Sequence, residues 1–362
     1  MMNKIIFIKI NTQKIILFCV FSLISISLIA SDDDNNGDGR TGEAGASELL
    51  INPWAQSSGM AGANTASSKG VESMFLNVAG LSRTESTELT FSQSTSAECL
   101  ISGFGFAQKL GEGVIGVSVF SIDFGDIERT TYENPDGTLG TYSAQFANIA
   151  LSYSYQFSYN MSAGITTRMV SQNAAEVAAN SLCVDAGVNY QTGRNNQAKF
   201  GITLKNWGPR VSFGGDGDDV TGVPSGRENE MTLEYRSAPF ELPTLINIGG
   251  SYDFFIYKGD GSEMFRLTVS ETFVSNSFSK DQFLTGLELS FKEMVTLRGG
   301  FAYEQGVFES YYDGRTTWGT GASAGISFEA PISGKTRFGF DYSFRAQNPI
   351  PAMHTFGARI IL

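Results

Sequence analysis

The chain has 362 residues, of which only 17% are charged, well under the usual quarter or so, while Gly (41), Phe (28) and Tyr (13) are abundant. The formal net charge of −12 argues against a nucleic-acid partner, and a single histidine, His354, is too few for a typical zinc centre or Ser-His relay. No phosphate loop or Ser/His/Asp set is present, and Gly103-Phe104-Gly105 lies within strand alternation with no helix behind it, so we read neither an enzyme nor a cofactor site.

Residues 1–30 read as a signal peptide. Lys4, Lys9 and Lys14 give a positive start, Ile15 to Ile29 an apolar run, and Ala30 a small residue for cleavage. The run is short for a bilayer span, and Ser31-Asp32-Asp33-Asp34 follows at once, which favours cleavage over an anchor. No Cys follows it, so a lipid anchor is not supported. No later window of about 20 apolar residues exists, which excludes a helical membrane protein but not a barrel. Residues 31–45, rich in Asp, Asn and Gly, read as a flexible acidic tail.

Residues 46–87 lack sustained alternation and break into short turns and helices. Ahead of a barrel, such a segment reads as a plug in the lumen or at its periplasmic mouth. Leu50, Ile51, Trp54, Met60, Met74 and Phe75 would line a hydrophobic pocket between plug and wall, or equally form the plug's own core.

From residue 88 to 362 we predict an all-β domain, a 14-stranded antiparallel transmembrane β-barrel. The strands fall at 88–95, 99–108, 113–124, 143–157, 160–171, 180–191, 197–207, 244–257, 263–276, 282–291, 294–304, 317–329, 335–346 and 354–362. The line Thr336 to Arg345 shows the pattern: Phe338, Phe340, Tyr342 and Phe344 share one face, and Arg337, Gly339, Asp341, Ser343 and Arg345 the other. No segment supplies a layer to cover the apolar faces, so lipid outside and water inside fit best. Loop length gives a second signal. Connections after even strands are short, whereas several after odd strands are long (125–142, 172–179, 208–243, 305–316, 347–353), the asymmetry of periplasmic turns and outer loops. The chain closes on a strand in which Phe356, Ala358, Ile360 and Leu362 share a face.

The predicted lumen face carries Arg168, Asp185, Lys205, Asp253, Arg266, Glu288, Arg298, Arg337, Asp341, Arg345 and Arg359, a polar conduit, a bed for the plug, or plain solvation of the wall. With Cys19 lost in the leader, Cys99 and Cys183 face inward on strands far apart and read as two thiols rather than a bridge. Gly214-Gly215-Asp216-Gly217-Asp218-Asp219 looks like part of a calcium loop but lacks the spaced acceptors and terminal Glu, so a mobile acidic loop is expected and no metal is assigned. Loops 125–142 (Asp126, Glu128, Arg129, Tyr132, Asp136) and 305–316 (Tyr312) could form a recognition rim for a protein partner.

Glu48-Leu49-Leu50-Ile51, then Gly59-Met60-Ala61-Gly62-Ala63, then Phe75-Leu76-Asn77-Val78-Ala79-Gly80-Leu81 together resemble the amino-terminal block of the PorV/PorQ family, relatives of the FadL-type barrels. Leu76 stands where that family usually has Trp, Val78 where it has Pro and Ala61 where it has Gly, whereas Gly59, Met60, Gly62, Asn77, Ala79, Gly80 and Leu81 keep the pattern. The resemblance covers some 40 residues. It implies an outer-membrane protein of a Bacteroidota-type Gram-negative bacterium. Its role would be an accessory, shuttle or docking component of type IX secretion that binds a large translocon barrel or secreted cargo through its outer loops. The alternative is a FadL-like channel for hydrophobic small molecules such as long-chain fatty acids; in either case outer-membrane lipid surrounds the barrel, and no bound lipid is assigned.

Overall fold

In the computed structural model, fourteen strands close into one antiparallel barrel. The structure describes residue 40 and residues 42–362 except 97–98, 131–133, 138–139, 216, 218, 224, 227–228, 235–236, 258–262 and 310–318. The predicted leader, most of the acidic tail, Tyr132, Asp216, Asp218 and Tyr312 lie outside the described residues.

The barrel strands are β1 (Thr87–Ser96), β2 (Cys99–Leu110), β3 (Gly113–Glu128), β4 (Thr141–Gln156), β5 (Met161–Ala174), β6 (Val177–Thr192) and β7 (Ala198–Trp207). After a hairpin of β8 (Asp219–Gly222) and β9 (Met231–Glu234) the barrel resumes with β10 (Leu245–Tyr257), β11 (Glu263–Asn276), β12 (Gln282–Phe291), β13 (Val295–Glu304), β14 (Gly321–Ser333), β15 (Thr336–Arg345) and β16 (Met353–Ile361). Each strand pairs with its sequence neighbour, β10 pairs with β7, and β16 closes on β1 through Glu88↔Ile361 to Thr95↔His354. Closure leaves no edge, so every ladder bond is made without water, as a bilayer interior demands. Alternation decides which face meets lipid. On β4, Ile149 and Leu151 are 53% and 59% exposed, whereas Asn148 and Ser152 between and beside them are buried.

Three expectations change. The 172–179 loop is a two-residue turn at Ala175 and Glu176, because β5 and β6 both run further than their alternation shows. β3 continues to Glu128 past a bulge between Asp123 and Asp126, where Gly125 takes φ +71° and the alternation is lost. The 208–243 loop contains the β8–β9 hairpin instead of being wholly irregular, its strands being too short for a period-two signal among Gly and Asp.

The lumen is filled by residues 47–83: helical turns Ser47–Leu50, Ala55–Gly59, Gly70–Glu72, Ser73–Leu76 and Val78–Arg83. Inward glycines on the wall give them room. Gly59 lies 3.0 Å from the Cα of Gly325 on β14, measured to the Cβ that an alanine would carry there, and a side chain at Gly300 on β13 would overlap the Met60 backbone. The end of the expected flexible tail is pinned at the long-loop rim. Gly45 N donates to Glu241 O at 3.0 Å, Glu241 N to Glu43 O at 3.0 Å, and Arg40 pairs with Glu241 at 2.8 Å.

Candidate functional site

The plug is bolted mainly to one arc of wall. Asn77 caps the turn Val78–Arg83, its Oδ1 accepting from Ala79 N at 3.1 Å, while its Nδ2 donates to Val188 O on β6 at 3.2 Å. Ala79 O accepts from Ser154 Oγ on β4 (3.1 Å) and Ser162 Oγ on β5 (3.0 Å). Asn189 Nδ2 donates to Ala66 O at 2.8 Å. Leu81 is fully buried against Val71 and Met74, and a side chain on Gly80 would overlap Ser68 O. On the far arc Ser323 Oγ donates to Gly59 O at 3.1 Å, Met60 is buried, and the chain reverses at Ala61 and Gly62, both left-handed (φ +54° and +80°). Gly59, Met60, Gly62, Asn77, Ala79, Gly80 and Leu81 are thus spent on seating the plug.

Most lumen charges pair along the wall rather than with the plug. Arg168 meets Asp185 at 2.8 Å, Lys199 meets Asp253 at 2.5 Å, Arg298 meets Glu288 at 2.7 Å, and Arg359 meets Glu329 at 2.8 Å. Arg266 bridges Glu288 and Glu293 at 3.8 and 2.6 Å. Two links cross to the amino-terminal segment: Arg337 to Glu85 at 2.7 Å, and Gln56 Nε2 to Asp341 at 3.0 Å. Arg345 makes no ion pair among the described residues, and its Nη2 donates to Gly319 O at 2.6 Å. Cys183 is a buried free thiol, so no bridge joins it to Cys99.

The plug divides the lumen into two cavities. The one at the short-turn end, about 260 Å³, is ringed by the Arg266–Glu288–Arg298 and Arg337–Glu329–Arg359 chains, with Glu72 and Glu88 above them. Within the plug, Glu72 is buried and accepts from Ser57 N (2.9 Å), Ser57 Oγ (2.5 Å) and Gln56 N (3.2 Å). Burial first, and then the neighbouring Asp341, push its carboxyl up to about 7.

The cavity at the long-loop end, about 360 Å³, has Leu50, Ile51, Phe75, Leu245, Val274 and Leu284 on its walls and the pinned residues Gly42 to Ser47 along its rim. Its charged lining groups are Lys205 and Arg345, and among the described residues no carboxylate lines it. Lys205 is 3% exposed, makes no ion pair among the described residues, and holds its Nζ 3.8 Å from the centroid of the Phe75 ring. It sits there because β7 bulges against β6: Val184 pairs with Trp207 and Ala186 with Leu204, Asn206 takes φ +57°, and Asp185 accepts from Asn206 N at 2.6 Å.

The six candidate pocket residues do not form one pocket. Leu50, Ile51 and Phe75 line the long-loop cavity, whereas Met60 lines the charged one. Trp54 and Met74 meet the other side of Phe75 in a void of about 20 Å³ against β3 to β5. Leu245, Val274 and Leu284 escaped notice in the sequence because an inward apolar residue on a barrel strand breaks the alternation that reveals the strand. Among the described residues no group of three or more His, Cys, Asp or Glu could hold a metal ion.

No protein-family description and no curated protein matches the sequence. Solved structures match its shape. The monoaromatic hydrocarbon channel CymD is 16% identical with a TM-score of 0.51, over 84% of this chain and 95% of that one. The Pseudomonas putida toluene transporter TodX is 13% identical with a TM-score of 0.53, over 86% of this chain and 97% of that one. A FadL homologue of Pseudomonas aeruginosa is 11% identical with a TM-score of 0.48, over 82% and 95%. At such identities the likeness speaks for the fold alone, a closed barrel of fourteen strands with a short helical segment in its lumen.

Proposed function

We propose that this chain is an outer-membrane channel for hydrophobic small molecules and that the long-loop cavity is its binding site. The observation that carries the reading is the make-up of that cavity: apolar walls with two cations, Lys205 and Arg345, and no acid lining it among the described residues. Asp185, the acid beside Lys205, is already paired to Arg168, so one carboxylate serves two buried cations, which is costly unless a further partner arrives. Apolar walls with such a cation suit a long-chain carboxylate, its tail against Leu50, Val274 and Leu284 and its head toward Lys205. CymD, a monoaromatic hydrocarbon channel, and TodX, a toluene transporter, agree in kind with an apolar cargo.

The alternative role in type IX secretion draws no support from the comparisons. The residues behind that resemblance, Gly59 to Leu81, hold the plug rather than present a surface. Recovery of a large translocon barrel with the tagged protein from native outer membranes would reverse our preference.

The test is uptake by proteoliposomes carrying the full chain. A fluorescent long-chain carboxylate should enter saturably while a sugar of similar mass does not, and Leu50→Trp, which fills the cavity, should abolish entry. Absence of entry in the wild type, or entry unaffected by Leu50→Trp, contradicts the reading.

A further inference from the structure

Phe75 stands between two spaces. One side of its ring lines the long-loop cavity, and the other meets the small void bounded by Trp54, Met74 and Phe120. Beyond that void an apolar seam runs between plug and wall, where Trp54, Val71, Met74 and Leu81 pack on Ala107 of β2 and Val114 of β3. Phe75 is therefore the side chain that separates the proposed binding site from the void and from the packed seam behind it.

What holds that ring is electrostatic as well as steric. The Lys205 ammonium lies 3.8 Å from its centroid, and the Arg168 guanidinium 5.9 Å. Arg168 is committed elsewhere, to Asp185 at 2.8 Å and to Asn206 Oδ1 at 3.1 Å. Lys205 makes no hydrogen bond or ion pair among the described residues, the nearby Asp185 being taken by Arg168, and its Nζ rests on the ring. Phe75 belongs to the plug and Lys205 to the wall.

We infer that Phe75 and Lys205 form a latch between plug and wall that an acidic headgroup releases. This rests on the channel reading above and adds to it which cargo opens the path. A carboxylate is a stronger partner for a buried ammonium than an aromatic face. When an acidic amphiphile enters, Lys205 turns to its headgroup and leaves the ring. Phe75 is then no longer pinned to the wall, which loosens the plug beside the cavity. An uncharged hydrocarbon fills the same cavity, but it gives Lys205 no reason to move and leaves the latch shut. Lys205 is thus a specificity-determining residue, and Phe75 the positioning residue through which it acts.

The experiment places 4-fluorophenylalanine at position 75 of the full chain in nanodiscs and follows its fluorine resonance while oleate or oleyl alcohol is added. Binding of each probe is measured in parallel by calorimetry. The resonance should shift with oleate and stay in place with the alcohol. Phe75→Leu should bind oleate about 2- to 30-fold more tightly, the range of a cation–π contact no longer competing. Lys205→Arg should keep the preference for oleate and Lys205→Met should lose it. A resonance that stays in place while calorimetry shows oleate bound, or an unchanged affinity in Phe75→Leu, overturns the latch and leaves the channel standing. No saturable binding of either probe overturns the channel reading and the latch with it.

Discussion

The two cavities on either side of the plug both carry cations of the wall and differ in how that charge is settled. At the short-turn end four guanidiniums share two carboxylates, Arg266 and Arg298 on Glu288 and Arg337 and Arg359 on Glu329, and Arg83 is held by the neutral oxygens of Ala66 and Asn189. At the long-loop end Lys205 and Arg345 face apolar walls with no acid between them. The first arrangement satisfies itself and explains a polar wall that keeps water and plug in place. The second is incomplete in electrostatic terms, and that is what makes it a site. Lumen charge is therefore informative where it is left over.

The difference can be broken from the wall side. Asp185 offsets Arg168 just behind Lys205, in a pair 2.8 Å apart with both side chains under 7% exposed. Asp185→Ala leaves two buried cations together and should cost about 3–5 kcal/mol of barrel stability in urea unfolding. Glu329→Ala at the other end should cost less, its side chain being 18% exposed and Arg337 keeping Glu85.

Glu72 sharpens the comparison from the plug side. Its carboxyl is raised from an ordinary 4.5 to about 7. The native state therefore holds a proton that the unfolded chain has released between those values. Stability should be highest at acid pH, fall as pH rises from about 4.5 through about 7, and stay low above, by on the order of 3 kcal/mol in all. Glu72→Gln should flatten that slope in urea midpoints compared at pH 5 and pH 8. A slope unchanged in the variant would assign it to another group.

Lys205→Met should weaken binding of a long-chain carboxylate by about 1.5–3 kcal/mol, the worth of a hydrogen bond to a charged group, while Arg337→Met in the paired cavity leaves it unchanged. The smallest effect belongs outside the lumen. Glu271 sits mid-strand on the lipid face of β11, since its neighbour Thr272 turns inward to donate to Ala63 O at 2.8 Å. It is 7% exposed, and its Oε2 is buried with no hydrogen-bond partner. Glu271→Leu should stabilise the barrel by roughly 1 kcal/mol, because the lipid face rejects acids only mildly.

Most of the barrel was legible because lipid outside and a filled lumen inside enforce a period of two, and Phe338, Phe340 and Tyr342 against Gly339, Asp341 and Ser343 carry it without a break. What stayed hidden sits where that period fails: the β6–β7 bulge that aims Lys205, the turn at Ala175, and the short β8–β9 pair. The abundance of glycine also had a second meaning. Strands bend at some of these residues, but Gly300 and Gly325 are absences cut to the shape of Met60 and Gly59, and only a folded plug shows which are which. The plug's apolar residues were identifiable as a set, yet their division among cavity, void and core depends on turns at Ala61 and Gly62 that no periodicity announces.

The measurement that bears most directly on the account is a crystal structure of the full chain grown with a fatty acid brominated at its tail, read by anomalous scattering. The account predicts a bromine peak among Leu50, Val274 and Leu284, with the carboxylate within hydrogen-bonding distance of Lys205 Nζ. A peak in the charged cavity near Arg298 and Arg337, or a carboxylate that ignores Lys205, would contradict it.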